Sequence, residues 1–96
     1  MTEPIVEKES GPTKGRFVIR ADGTEAELTY SVTTPALVIA DHTGVPDAFR
    51  GRGVGVRLVE AMVADARANG YKVVPLCPFV NAMRQKHPEW ADVFAA

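Results

Sequence analysis

Polar and apolar residues alternate twice in the first third of the chain. Over residues 16–20, Phe17 and Ile19 fall on one side, and over residues 25–32, Ala26, Leu28, Tyr30 and Val32 do the same. Each pattern is that of a strand with one wet face and one dry face. Asp22-Gly23 between them is a turn pair whose glycine supplies positive φ, so the two strands are expected to pair antiparallel. Thr33-Thr34-Pro35 then leads into residues 36–40, a continuous apolar run that suits a central strand covered on both faces and extending to about Val45.

From Val54 the period becomes helical. Gly55, Leu58, Val59, Met62, Val63 and Ala66 form one stripe, with Arg57, Glu60, Ala64, Arg67 and Ala68 opposite, and Gly70 is the expected left-handed stop. Residues 71–77 read as another strand. Following a strand and a crossover helix, it should run parallel to the strand that starts at Ala36. Pro78 suits the first position of a short helix over residues 79–87 with Cys77 near its N-cap. Pro88 then stops that helix and opens a last turn ending near Phe94. The predicted order is β-β-β-α-β-α, an α+β arrangement in which an antiparallel meander joins a parallel βαβ unit. Residues 1–15, polar and broken by Pro4, Gly11, Pro12 and Gly15, read as a flexible tail, leaving residues 16–96 as one domain.

Composition narrows the function classes. With 96 residues the chain can build a single core, and its 46% apolar and 24% charged content is that of an ordinary globular protein. The formal net charge of −1, mixed along the chain, gives no field for nucleic acid or an anionic membrane, and neither is expected as a partner. Cys77 is the only cysteine, which excludes an internal disulfide and a multi-cysteine zinc site; no metal is expected, and a reducing, cytoplasmic setting fits. Residues 1–10 hold no apolar leader core and no run is long enough to span a bilayer, so neither export nor insertion is expected.

The segment Arg50, Gly51, Arg52, Gly53, Val54, Gly55, Val56 lies between a predicted strand and a predicted helix start. There, unpaired amides and the positive end of the helix dipole favour an anion, glycines let the backbone approach it, and Arg50 and Arg52 add cationic side chains. The spacing is not that of a dinucleotide fingerprint, because Val56 or Leu58 stands where the third glycine belongs. It is not a Walker loop either, for no Gly-Lys-Ser/Thr follows. The alternative is a turn whose glycines serve only close packing.

Arg50-x-x-Gly53-x-Gly55 resembles the Gln/Arg-x-x-Gly-x-Gly/Ala signature of the GNAT superfamily of acyl-CoA-dependent N-acyltransferases. His42-Thr43, Val45-Pro46, residues 75–80 and His87-Pro88-Glu89-Trp90 further look like its small, stand-alone YjdJ-type subgroup, over roughly residues 16–94. The resemblance implies a minimal GNAT-like fold with splayed central parallel strands, acetyl-CoA or coenzyme A as cofactor, and transfer of an acetyl group to an exposed amine on a small molecule or protein. It implies amides from about Arg52 to Val56 on the pyrophosphate, the pantetheine arm between the strands, the Val45 amide toward the thioester carbonyl, and Asn81 on the pantetheine. Asn81 is as readily a surface or capping residue. Pro75 supports the splay independently, since a proline in a central strand removes a ladder donor. Larger members carry helices between the first two strands, where this chain has only a turn, so an open acceptor site is expected.

Acyl transfer to an amine needs a deprotonated nucleophile, an oxyanion donor and a proton for the leaving thiolate. Cys77 sits at a strand end beside a helix N-terminus that favours an anion; it is a candidate to carry the acetyl group or to protonate the thiolate, or is a buried small hydrophobe. His42 carries an imidazole and is a candidate base or a structural histidine. Arg57 reads as a ligand for the cofactor 3′-phosphate or as a solvated helix charge, and His87 as a helix C-cap. A non-catalytic coenzyme A or acyl-CoA binding module, which would not need Cys77 and His42, is the alternative function, and a domain with no ligand at all is a third. A monomer or weak dimer is expected.

Overall fold

The structure, a computed structural model, describes residues 5–21, 23–49 and 51–95. Strands β1 (Val6–Ser10), β2 (Lys14–Ala21), β3 (Thr24–Thr34) and β4 (Leu37–Gly44) form an antiparallel meander. Helix α1 (Val54–Asn69) crosses over to β5 (Lys72–Pro75), which pairs parallel to β4, and α2 (Pro78–Lys86) follows. The sheet order is β1-β2-β3-β4-β5, as an α+β meander joined to one βαβ unit requires.

One expectation fails. Residues 6–10, read as part of a flexible tail, form β1, in register from Val6 opposite Ile19 to Ser10 opposite Gly15. Only Val6 of that strand is shielded from solvent, so its sequence carries no apolar alternation to read. What holds it is the ladder with β2 and ion pairs: Lys8 Nζ lies 2.7 Å from Asp65 Oδ2 on α1. The same carboxylate oxygen accepts from the Tyr71 hydroxyl at 2.7 Å. Burial, and then the Asp65 contact, pushes the Tyr71 pKa above its ordinary value. The expected turn at Asp22-Gly23 lies half outside the described residues, but Gly23 does adopt φ 74°.

The helices cover one face of the sheet, α1 over β2 and β3 and α2 against β4 and β5. Phe17, Ile19, Ala26, Leu28 and Tyr30 meet Leu58, Val59, Met62 and Val63 there, and Val73, Val80, Trp90 and Val93 complete the same core. Gly70 stops α1 at φ 75°, its N–H donating to Ala66 O at 2.8 Å. The outer edge of β5 is occupied by the C-terminal segment, since Val73 N–H donates to Val93 O and Val73 O accepts from Ala95 N–H, each at 2.8 Å.

The opposite face carries no helix. In β4 only Val38 and Ala40 are buried, while Leu37 and Ile39 are half-exposed, so this strand is covered on one side and not, as its apolar run suggested, on both. The open face of β1, β2 and β3 is a lattice of ion pairs. Arg16 binds Glu9, Glu25 and Glu27, and Arg20 binds Glu7, Glu9 and Glu25, at 2.7 to 3.0 Å. Val18 lies within this lattice, opposite Glu7 and Glu27 on the flanking strands, with 0% exposure; long arginine stems cover apolar surface while their heads stay wet.

Candidate functional site

β4 and β5 pair only from Leu37 opposite Lys72 to Ala40 opposite Pro75, whereas β4 runs on to Gly44. The last link between them is Cys77 N–H to Ala40 O at 2.9 Å, after which the chain turns into α2 with Pro78 at its first turn. The central strands part just past Pro75, as expected, but not through its missing donor: in phase with Val73, whose N–H faces Val93, the Pro75 nitrogen faces the outer edge, and the ladder ends where Leu76 N–H turns back to Val74 O. Val45 and Leu76, 39% and 67% exposed, are apolar residues left at the opening. Crevices beyond the carboxyl ends of parallel strands are where open α/β sheets bind ligands.

The N-termini of both helices meet there. α1 begins at Val54 behind Gly53, an N-cap with φ 68° and no side-chain cap, and Gly51 has φ 79°. A Cβ at Gly51 or Gly53 would touch nothing within 4 Å, so both glycines border open space and are required by their conformation. Arg57 N–H donates to Gly53 O at 3.1 Å, the first turn of the helix ladder; the amides of Val54, Gly55 and Val56 precede it and point out of the helix end. Gly55 has a different task. A Cβ there would lie 2.7 Å from Phe79 Cζ, so its missing side chain lets α2 pack against the start of α1. The packing alternative weighed for the loop thus holds for Gly55, whereas Gly51 and Gly53 border open space at an uncapped helix start. Arg52 is exposed beside them, and Arg50 lies outside the described residues.

Cys77 is the N-cap of α2 and 3% exposed, and its thiol lies 3.3 Å from Thr43 Oγ1. Thr43 entered the sequence reading only within the His42-Thr43 motif and was given no role, because an irregularity between Thr29 and Tyr30 pairs Tyr30 with Ala40 and Thr29 with His42, leaving Asp41 as an extra residue in β4. Ala40 and Thr43, an odd number of positions apart, therefore share the helix-covered face. His42 is on the other one. It is exposed, pairs with Thr29, and its Nε2 would lie 3.6 Å from a Cβ at Gly44, which is opposite Glu27 on the ion-paired face. The two candidate catalytic residues are thus separated by the sheet. Asn81, partly buried in the first half of α2, receives Arg84 Nε on its Oδ1 at 2.8 Å. His87 Nδ1 lies 2.9 Å from Glu89 Oε2 and its ring stacks on Trp90 at 4.0 Å. Among the described residues, no helix is long and apolar enough to cross a membrane.

A four-stranded meander, a crossover helix with a glycine-led start, and a fifth strand that parts from the fourth define a small protein of the GNAT type. The chain belongs to the GCN5-related N-acetyl-transferase family, whose model matches residues 16–93. It is similar to Protein NATD1 of Xenopus tropicalis, 31% identical over 75 residues that cover 76% of this chain and 69% of that protein. It is also similar to Protein NATD1 of Mus musculus, 27% identical over 96 residues covering 91% and 87%. The NMR solution structure of a GCN5-like protein from Staphylococcus aureus superposes with a TM-score of 0.72 at 36% identity, over 94% of this chain and 88% of that one.

Proposed function

We propose that this protein is an acyl-CoA-dependent N-acetyltransferase that moves an acetyl group from acetyl-CoA to an exposed amine. The observation that supports it most is the uncapped, glycine-led N-terminus of α1, open to solvent beside the point where β4 and β5 separate. A diphosphate fits that end: the amides of Arg52, Gly53, Val54, Gly55 and Val56 would hold it, with the guanidinium groups of Arg50 and Arg52 alongside. The Val45 amide would meet the thioester oxygen, and Asn81, whose Nδ2 remains a donor, would touch the pantetheine arm. Bound acetyl-CoA supplies an activated acyl carbon.

Transfer forms a nitrogen–carbon bond and breaks a carbon–sulfur bond; the acceptor ammonium loses one proton to a base, and thence solvent, before attack and a second afterwards, while one proton reaches the departing thiolate. Cys77 suits the last task, with the second nitrogen proton restoring its thiol. Cys77 is buried on the helix side with its thiol 3.3 Å from the Thr43 hydroxyl, at the strand end where the departing thiolate would need a proton. His42 suits the first, on the open face from which an amine can approach. Replacing Cys77 by Ala should lower turnover at least tenfold and leave coenzyme A affinity unchanged, measured by thiol release and by calorimetry.

Thermal unfolding with and without acetyl-CoA tests binding, because ligand at a hundred times its dissociation constant adds about 2.7 kcal/mol. An unmoved transition removes the proposal. The separation of His42 from Cys77 by the sheet favours the second reading, a module that binds acyl-CoA without turnover. A thermal shift with no thiol release over a panel of amines would establish that one.

A further inference from the structure

The open sheet face carries two hollows that share Arg16. One of about 400 Å³ is lined by Arg16, Glu25, Glu27, Gly44, Val45 and Pro46. The other, of about 730 Å³, includes Glu9, Lys14, Arg16, Thr29, Ser31 and Asp41. They follow β3 and β4 lengthwise: Thr29 and Ser31 lead to Glu27 and Glu25 on one strand, Asp41 to Gly44 and Val45 on the other. His42 stands between, in the part of β4 that has parted from β5. The smaller hollow thus ends at Val45, where the acyl carbon would emerge in the function proposed above, and the larger extends it across the face.

Charge decides what would lie there. The carboxylates of Glu7, Glu9, Glu25 and Glu27 outnumber the guanidinium groups of Arg16 and Arg20 that they share. Hydrogen bonds from Arg20 and then Arg16 hold Glu9 and Glu25 below the usual carboxylate range, so this excess stays negative at neutral pH. Farther along, Asp41 Oδ2 accepts from Ser31 Oγ at 2.6 Å and adds another acidic side chain to the face. Such a face attracts cations and repels acidic acceptors. It is also unwalled, because β2 and β3 are joined by a turn. A small amine would touch few groups, whereas a polypeptide laid along β3 and β4 would gain contacts over both hollows.

We infer that the acceptor is a lysine side chain of a protein, presented on an extended basic segment that docks along the open face of β3 and β4. The acceptor ammonium enters the hollow at Glu25, Glu27 and Val45 beside His42, and a neighbouring arginine or lysine of the segment lies toward Glu9 and Asp41. This identification of the acceptor rests on the acetyltransferase reading, but its binding surface can be measured without the cofactor.

The test is amide chemical-shift mapping of the ¹⁵N-labelled full chain at low salt, without coenzyme. Three probes are compared: a lysine peptide flanked by arginines, the same peptide with glutamates in place of the arginines, and spermidine. The basic peptide should move the Glu9, Arg16, Glu27, Thr29, Ser31 and Gly44 resonances saturably and lose affinity several-fold as salt screens the face. Glu9→Lys should weaken it about fivefold to tenfold, and the milder Glu9→Gln less, in the same direction. No shifts on this face, shifts confined to the helices, or equal binding of the acidic peptide or spermidine would overturn the inference. A parallel titration with coenzyme A reports separately through Gly51, Gly53 and Val56. Movement there without peptide binding leaves the acetyltransferase reading standing and this inference refuted, and the converse refutes only the former.

Discussion

The two faces of one sheet are built on opposite principles. Toward the helices, Phe17, Ile19, Leu28, Leu58 and Met62 interlock without a buried polar or charged residue among those described. Toward solvent, the same strands are held by arginines shared among glutamates over a single buried valine, Val18. Stability is concentrated on the first face, since apolar burial there is dense and exposed ion pairs contribute little. The second face is free to carry charge for another purpose.

The largest expected effect tests the first half of that contrast. Leu58, with 0% exposure on α1, should cost about 2–5 kcal/mol when cut to Ala, read from urea unfolding at unchanged m-value. Where the helices touch at the site, Gly55→Val would force the Phe79 ring aside. It should cost about 1–3 kcal/mol by overpacking and weaken coenzyme A binding by displacing the helix start. A parallel change at Gly53, to Val, meets no neighbour but places a β-branched residue at φ 68°; about 1–2 kcal/mol is expected from conformation alone. If Gly55→Val were the milder of the two, the close approach of α2 would not be what that glycine serves.

Smallest is the effect on the ion-paired face. Glu9 and Glu25 have folded-state pKa values lowered by Arg20 and then Arg16, so their stabilising contribution is present above the unfolded carboxylate pKa and is lost as pH falls through the folded values. Glu25→Gln should therefore lower the melting temperature slightly at neutral pH, and the gap to the parent should close as pH falls below about 4.3. An equal loss at every pH would mean that the lattice stabilises by packing over Val18 and not by charge.

Much of this was legible in the chain because periodicity records burial. The α1 stripe from Gly55 to Ala66, the Gly70 stop, and Cys77 with Pro78 opening α2 all match the structure to within a residue or so. β1 left no such record, since its residues are held by backbone pairing and charge. The fully covered reading of β4 failed because Leu37 and Ile39 are apolar yet face the uncovered side. Within the site, Thr43 was hidden by the extra residue at Asp41, which breaks the alternation that would have announced its face. No local pattern reveals that His42 and Cys77 lie on opposite sides, because that follows from the same irregularity.

The grip of the α1 N-terminus on a diphosphate is the claim most directly open to measurement, by titrating the ¹⁵N-labelled protein with coenzyme A. Large, saturable shifts at Gly51, Gly53, Val54, Gly55 and Val56, with the Leu58 to Ala66 amides of the same helix nearly still, are the expected result. Unmoved resonances in that loop at millimolar coenzyme A, or shifts centred elsewhere, would contradict it.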